Sequence, residues 1–161
     1  ATGAGTSLST TTHFTYRDNN YSHYKAFNHQ HLGEINQTVN QLQTNFNAEI
    51  NFVPNRGNFS RGIFATTYTK YDGSLDDAVK IYKEYYKDAA FTFVSDEEIH
   101  LKQVINTNKC LIHLAKHGTK LLITSTIDNL LKGASGQAVQ NLNLMYDFEE
   151  TLGLNLKASY F

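Results

Sequence analysis

Residues 109–117 and 120–127 each alternate apolar and polar side chains, and the two runs meet at His117-Gly118-Thr119. Period-two alternation on both sides of a glycine-containing turn predicts two antiparallel strands joined as a hairpin. A fold built on such a hairpin is not a βαβ repeat, whose strands run parallel and need a long crossover between them. Helical patterns surround the hairpin. Ser74-Leu75-Asp76-Asp77 offers an N-cap hydroxyl with an acid three residues on, and Leu75, Ala78, Tyr82 and Tyr85 follow at helical spacing. Leu32, Ile35, Val39 and Leu42 share one face of an earlier helix expected to end near Asn45, and Ala134, Ala138, Leu142 and Met145 describe a last one. Residues 48–53 and 62–71, rich in Ile, Phe, Thr and Tyr, read as strands, with Pro54, Arg56 and Gly57 making a loop between them. Helix, strands, helix, strands and helix in one chain predict an α+β fold, a mixed or antiparallel sheet with helices against one face.

The chain has 161 residues, which suits one domain spanning residues 1–161, and it shows no internal repeat. Its 14 Lys plus Arg against 15 Asp plus Glu leave a net charge of −1, so it lacks the basic footprint that neutralises phosphates, and neither nucleic acid nor an anionic membrane is expected as a partner. Apolar runs such as Leu121-Leu122-Ile123 fall far short of the ~20 residues that span a bilayer. The N-terminal residues show neither the basic nor the apolar region of an export signal, so a cytoplasmic location is expected, and the sequons at Asn36 and Asn58 read as chance matches. Residues 1–12 are almost all Gly, Ala, Ser and Thr, a loop composition. A chain that opens this way, with no element before the loop, is expected to be cut from a longer one.

Several constellations can carry chemistry. His29-Gln30-His31 with Glu34 stands where a loop enters a helix, an accessible place for an imidazole acid–base whose tautomer a carboxylate could fix. Two solvated histidines with a Glu in the first helical turn, or a partial zinc set at unconventional spacing, remain alternatives. Cys110 opens a strand and alternates with Ile112 and Leu114, so it reads as inert packing rather than as a nucleophile. Arg56 and Arg61 flank Gly57 and suit a carboxylate or phosphate, or else decorate a sheet edge. Gly3-Ala4-Gly5 fails the dinucleotide fingerprint because Leu8 stands where the third glycine belongs. Around Gly133-Ala134-Ser135-Gly136 the small residues either let a ligand approach the backbone or simply pack closely.

The run Asp128-Asn129-Leu130-Leu131-Lys132-Gly133-Ala134-Ser135-Gly136-Gln137-Ala138-Val139-Gln140-Asn141-Leu142-Asn143-Leu144-Met145 resembles the C-terminal signature of the N-acetyl-gamma-glutamyl-phosphate reductase family. His29-Gln30-His31-Leu32-Gly33-Glu34-Ile35 is similar to the family's His-x-His-x-x-Glu-Ile element, and Val53-Pro54 and Arg61-Gly62-Ile63 match two more. Gly3-Ala4-Gly5 matches a small-residue loop that precedes them, and the elements keep the family's order.

The resemblance implies an NADPH-dependent enzyme of arginine biosynthesis that reduces an acyl phosphate to a semialdehyde. It also implies a domain shaped like the C-terminal half of glyceraldehyde-3-phosphate dehydrogenase, and a homo-oligomer, dimer or tetramer. On that pattern a cysteine attacks the acyl phosphate, and His29 or His31 moves the proton with Glu34 orienting it. Arg61, with Arg56, would steady the anionic substrate, and Asn129, Gly133, Gly136 and Gln137 would approach the nicotinamide of NADP. No metal is expected. The family's Asn-Pro-Gly-Cys nucleophile element and its cofactor fingerprint have no counterpart here, and the usual Arg after Gly-Ala-Gly is Thr6. Cys110 does not sit in the nucleophile's motif. The chain is therefore expected to be the substrate and oligomerisation half, inactive by itself. Another semialdehyde dehydrogenase, such as one acting on aspartyl phosphate, and a non-catalytic dimerisation or ligand-binding module are the alternatives.

Overall fold

The computed structural model describes residues 6–159, so Gly3-Ala4-Gly5 lies outside the described residues. The chain divides into two compact units, one ending at Ser60 and the other beginning at Arg61.

In the first unit a 3-10 turn (Thr10–Thr12) leads into α1 (Phe14–Arg17), β1 (Ser22–His23), α2 (His31–Leu42) and β2 (Asn55–Arg56). β1 pairs antiparallel with β2, Ser22 opposite Arg56. α2 presents Leu32, Ile35 and Val39 as a half-buried stripe, whereas Leu42 is exposed. The helix stops short of Asn45 because Gln43 turns to extended backbone at φ −139. Residues 48–53 form no strand, contrary to their composition. The carbonyls of Phe52 and Pro54 do accept from the N–H groups of Phe27 (2.9 Å) and Tyr24 (3.0 Å). Lys25 and Phe27, however, adopt left-handed backbone (φ +45 and +58), and that breaks any regular ladder.

The second unit contains β3 (Ile63–Lys70), α3 (Leu75–Tyr85), β4 (Thr92–Ser95), β5 (Cys110–His117), β6 (Lys120–Ile127), a π turn (Leu131–Ser135) and α4 (Gly136–Met145). The hairpin forms where the alternation places it, Leu114 opposite Ile123 and His117 opposite Lys120. The sheet order is β3-β6-β5-β4, with β4 parallel to β5 and the other neighbours antiparallel. The fold is therefore α+β on a mixed sheet.

Residues directly opposite in a ladder point to the same side. One face thus carries Ile112, Leu114 and Leu121, which are buried with Ala78 of α3 in a single core, and Leu75, Val79, Tyr82 and Tyr86 pack around them. The Ser74 hydroxyl starts α3 by accepting from the Asp77 N–H at 3.0 Å. The other face carries Phe64, Thr66 and Tyr68 of β3, Leu122 and Thr124 of β6, and Leu111, His113 and Ala115 of β5. β3 is exposed along its whole length, with Phe64 at 42% and Tyr68 at 69%.

Candidate functional site

In the first unit the chain enters α2 through His29. Its Nδ1 accepts the backbone N–H of His31 at 3.2 Å, so the side chain satisfies one of the amides that a helix start leaves without an intrahelical partner. Accepting at Nδ1 places the proton of the neutral ring on Nε2. The ring meets His31 (centroids 4.5 Å), Tyr24 (5.5 Å) and Phe52 (5.5 Å), each nearly edge-on. Arg56 reaches the same group, its guanidinium carbon 3.9 Å from the Tyr24 ring centroid. Desolvation first, then the charges of His31, Lys25 and Arg56, lowers the His29 pKa from 6.5.

The left-handed residues Lys25 and Phe27 lie in the loop that delivers this cluster, and such backbone concentrates at ligand clamps. His31 is exposed at the first position of α2, and its ring nitrogens make no hydrogen bond among the described residues. Glu34, also exposed, makes no hydrogen bond or ion pair among the described residues. Its carboxylate therefore does not clamp either imidazole in this structure. An NMR titration of the His29 ring should show a midpoint below about 6.5, and Arg56→Gln should raise it by removing a cation that opposes protonation.

In the second unit Arg61 is paired with Asp128. Nη2 donates to Oδ1 at 3.0 Å, and Nε lies 2.9 Å from Oδ2 without aiming its hydrogen along that line, so that contact is Coulombic. Asp128 is fully buried and also accepts the N–H groups of Asn106 (2.7 Å), Leu130 (2.8 Å) and Leu131 (2.9 Å). Burial by itself would raise its pKa, but the Arg61 hydrogen bond and the three amides outweigh it and hold the carboxyl below the usual range. Next to it, Asn129 Oδ1 accepts the N–H of Gly62 at 2.6 Å. Gly62 sits at φ +108, a backbone glycine alone adopts without strain.

From this anchored point the π turn carries Gly133, Ala134 and Ser135 at the surface and then buries Gly136. A Cβ on Gly136 would stand 1.7 Å from Asn108 Oδ1. Gln137 accepts from Lys132 Nζ (2.7 Å) and donates to Asn141 (3.0 Å). Burial pushes the nearby Cys110 thiol up, with the Lys132 charge acting the other way, a setting unlike that of a reactive thiolate.

Of the four residues expected near a nicotinamide, Gly133 is exposed, whereas Asn129, Gly136 and Gln137 are engaged inside the unit. Residues 133–146 include no charged side chain. Among the described residues no group of three or more His, Cys, Asp or Glu is placed to hold a metal ion. No helix among the described residues is long and apolar enough to cross a membrane. Sequence reasoning passed over Asp128 as a hub and Tyr24 as a platform; the only signals were an acid directly before the small-residue turn and an aromatic five residues before the first histidine.

Residues 1–129 match the family profile described as semialdehyde dehydrogenase, dimerisation domain. A protein named N-acetyl-gamma-glutamyl-phosphate reductase from Christiangramia forsetii is 73% identical over 161 residues, covering 100% of this chain and 50% of the relative. Relatives of the same name from Flavobacterium johnsoniae and Phocaeicola vulgatus are 60% and 59% identical, with the same coverage. The chain thus spans about half the length of the curated relatives it matches.

Proposed function

The chain belongs to the semialdehyde dehydrogenase dimerisation-domain family, and on that footing we propose that it is the substrate-binding and dimerisation half of an N-acetyl-gamma-glutamyl-phosphate reductase. Such an enzyme reduces an N-acyl-glutamyl phosphate to the semialdehyde in arginine biosynthesis, in the cytoplasm. The observation that carries the reading is the imidazole pair at the start of α2, where one ring is oriented by the other residue's backbone and has its pKa lowered by desolvation first and then by neighbouring charges. The family profile, over residues 1–129, runs across the boundary between the two units, which supports treating that stretch as one functional domain.

The two histidines then take different parts. His29, neutral near pH 7 with its proton on Nε2, donates a hydrogen bond to negative charge developing on the substrate carbonyl oxygen. His31, exposed on the first turn of α2, exchanges the proton, with Glu34 one turn further along the helix. Arg56 on Tyr24 offers a guanidinium to the acyl phosphate, whereas Arg61 in the second unit is held by Asp128. Bound NADPH supplies the hydride. Gly133 would lie on the nicotinamide side, and Asn129, Gly136 and Gln137 keep the turn in shape. The nucleophile comes from polypeptide outside this chain, and Cys110 is packing.

The test is NADPH-dependent reduction by the full-length protein carrying this chain, with N-acetylglutamyl phosphate and aspartyl phosphate as competing substrates. The expected result is turnover of the N-acylated substrate only, and none by residues 1–161 alone. Preference for aspartyl phosphate, or reduction of neither, would refute the assignment.

A dimerisation domain needs a face for its copy, and the sheet face opposite α3 supplies it. Phe64, Thr66 and Tyr68 alternate along an open edge strand, next to half-buried Leu122, Ala115 and Leu111. Tyr68→Lys with Phe64→Lys should shift the full-length protein from oligomer to monomer in light scattering, since two desolvated charges oppose a symmetric contact in which each subunit contributes both.

A further inference from the structure

The first unit buries a cation that nothing neutralises. Arg17, the last residue of α1, is 6% exposed. Its Nη2 donates to Ser22 Oγ at 3.0 Å, its Nη1 reaches the Arg56 carbonyl only at 3.5 Å, and its Nε has no hydrogen-bond partner among the described residues. Tyr16 covers the guanidinium, with the ring centroid 4.8 Å from Cζ. A guanidinium carries five N–H donors and does not shed its proton, so most of its donors go without an acceptor here. The acids of residues 6–60 are Asp18, Glu34 and Glu49; all are exposed, and none forms an ion pair among the described residues. A buried charge left unpaired is costly to the fold, and an anion that completes it removes that cost.

The surroundings say which anion. Ser22 stands opposite Arg56 in the β1–β2 ladder, so their side chains share one side of the ribbon, and alternation returns Tyr24 to that side. Arg56 stacks on Tyr24 there, and Tyr24 meets His29 edge-on. Exposure rises along this row: Arg17 is buried, Arg56 half-buried and His29 exposed. In the reductase reading the acyl phosphate, where bonds break, belongs beside His29 and Arg56. The buried end is left for a group that takes no part in the reaction. A single cation with a planar fork of donors matches a carboxylate, which two of its N–H groups hold side by side. We propose that Arg17 is a specificity-determining residue whose guanidinium binds the carboxylate that the substrate keeps through the reaction. That group is the α-carboxylate of the glutamyl part or a carboxylate ending the acyl part, which share one chemistry. The identity of the substrate rests on the proposed reductase reading; the carboxylate site rests on Arg17.

The test is steady-state reduction by the full-length protein carrying this chain, with the parent compared with Arg17→Met and Arg17→Lys. The substrates are N-acetylglutamyl phosphate, its α-carboxamide, and N-succinylglutamyl phosphate, whose acyl group ends in a carboxylate. For the substrate the parent prefers, Arg17→Met should raise KM about tenfold or more and leave kcat within about twofold, because the lost contact is the same in ground and transition states. Arg17→Lys keeps the charge but loses the fork, and should raise KM by about threefold. Where the Met protein fails to fold, the Lys protein decides, and an unchanged KM overturns the proposal. A penalty for both carboxylate-bearing substrates that vanishes with the α-carboxamide assigns Arg17 to the α-carboxylate. A penalty confined to the succinyl substrate assigns it to the acyl group. An equal penalty for all three substrates, or none for any, would make Arg17 structural and overturn the proposal. If the parent reduces none of the three, the reductase reading fails, and titration calorimetry with glutarate tests the site by itself. Binding weakened about tenfold or more in Arg17→Met would then uphold the carboxylate site, and equal binding would overturn it.

Discussion

Gly136→Ala is expected to destabilise the second unit by about 2–4 kcal/mol, although glycine to alanine inside a helix normally gains close to 1 kcal/mol. The added carbon would stand 1.7 Å from Asn108 Oδ1 and 2.8 Å from Asn108 Cγ, with the Leu131 carbonyl at 3.0 Å on another side. Asn108 cannot swing aside at low cost, because it is fully packed and its Nδ2 donates to the Leu154 carbonyl at 2.8 Å. Its Oδ1 is buried without a hydrogen-bond partner among the described residues and lies against the glycine. Asn108→Ala should therefore recover part of the loss in the double variant, since it removes both the clash and the orphaned acceptor. Urea unfolding of the four proteins in that cycle measures the coupling. A Gly136→Ala protein of unchanged stability but weakened NADP binding would instead make Gly136 a cofactor contact and nothing more.

Asp128→Ala should cost roughly 3 kcal/mol or more, a large share of the 5–15 kcal/mol a domain typically has. It removes the shared acceptor of Arg61 and of the Asn106, Leu130 and Leu131 amides, and three of those four donors belong to backbone that cannot turn toward water without unwinding the turn. Arg61→Leu should cost less, because the three amides still solvate the carboxylate and the Arg61 side chain is already 25% exposed. The pH dependence follows from the sign of the shift. Asp128 has its carboxyl pKa lowered on folding, so its stabilisation is present above the unfolded value of about 3.9 and is lost as pH falls through the lower folded value. Acid unfolding of the native protein should steepen in that window, and the Asp128→Ala protein should show a flatter profile there.

The hairpin and α3 were legible because their signals are local. Period-two alternation fixes which side chains of β5 and β6 face Ala78, and Ser74 with Asp77 marks the start of α3 within four residues. The short parallel strand β4 left a weaker trace, four residues whose partner begins at Cys110 after a long connection. Residues 48–53 misled for the opposite reason. Their composition suits a strand, but the segment across from them includes Lys25 and Phe27 in left-handed backbone, a property of the partner that no local count detects.

The site divides in the same manner. His29 and His31 were readable from their place at a helix entry, whereas the desolvation that first lowers the pKa of His29, and the Arg56 charge that adds to it, come from the fold and not from the local sequence. In the sequence Asp128 is only the first residue of a family signature. That it holds Arg61 across 67 residues became visible once β3 and β6 lay side by side. The spacing of Ala134, Ala138, Leu142 and Met145 marks a helix but not which side it buries, and α4 buries Gly136, Gln140 and Asn143 instead.

The central claim is that this chain contributes the imidazole machinery while the attacking sulfur belongs elsewhere in the polypeptide. The most direct measurement is kcat for the full-length protein with His29→Asn, His31→Asn and Cys110→Ser, each checked for native stability. The account predicts losses of about a hundredfold or more for the histidine variants, in the range expected of a positioned acid–base group, and a Cys110→Ser protein close to the parent. Histidine variants that keep full kcat, or a Cys110→Ser protein that is folded and dead, would contradict it.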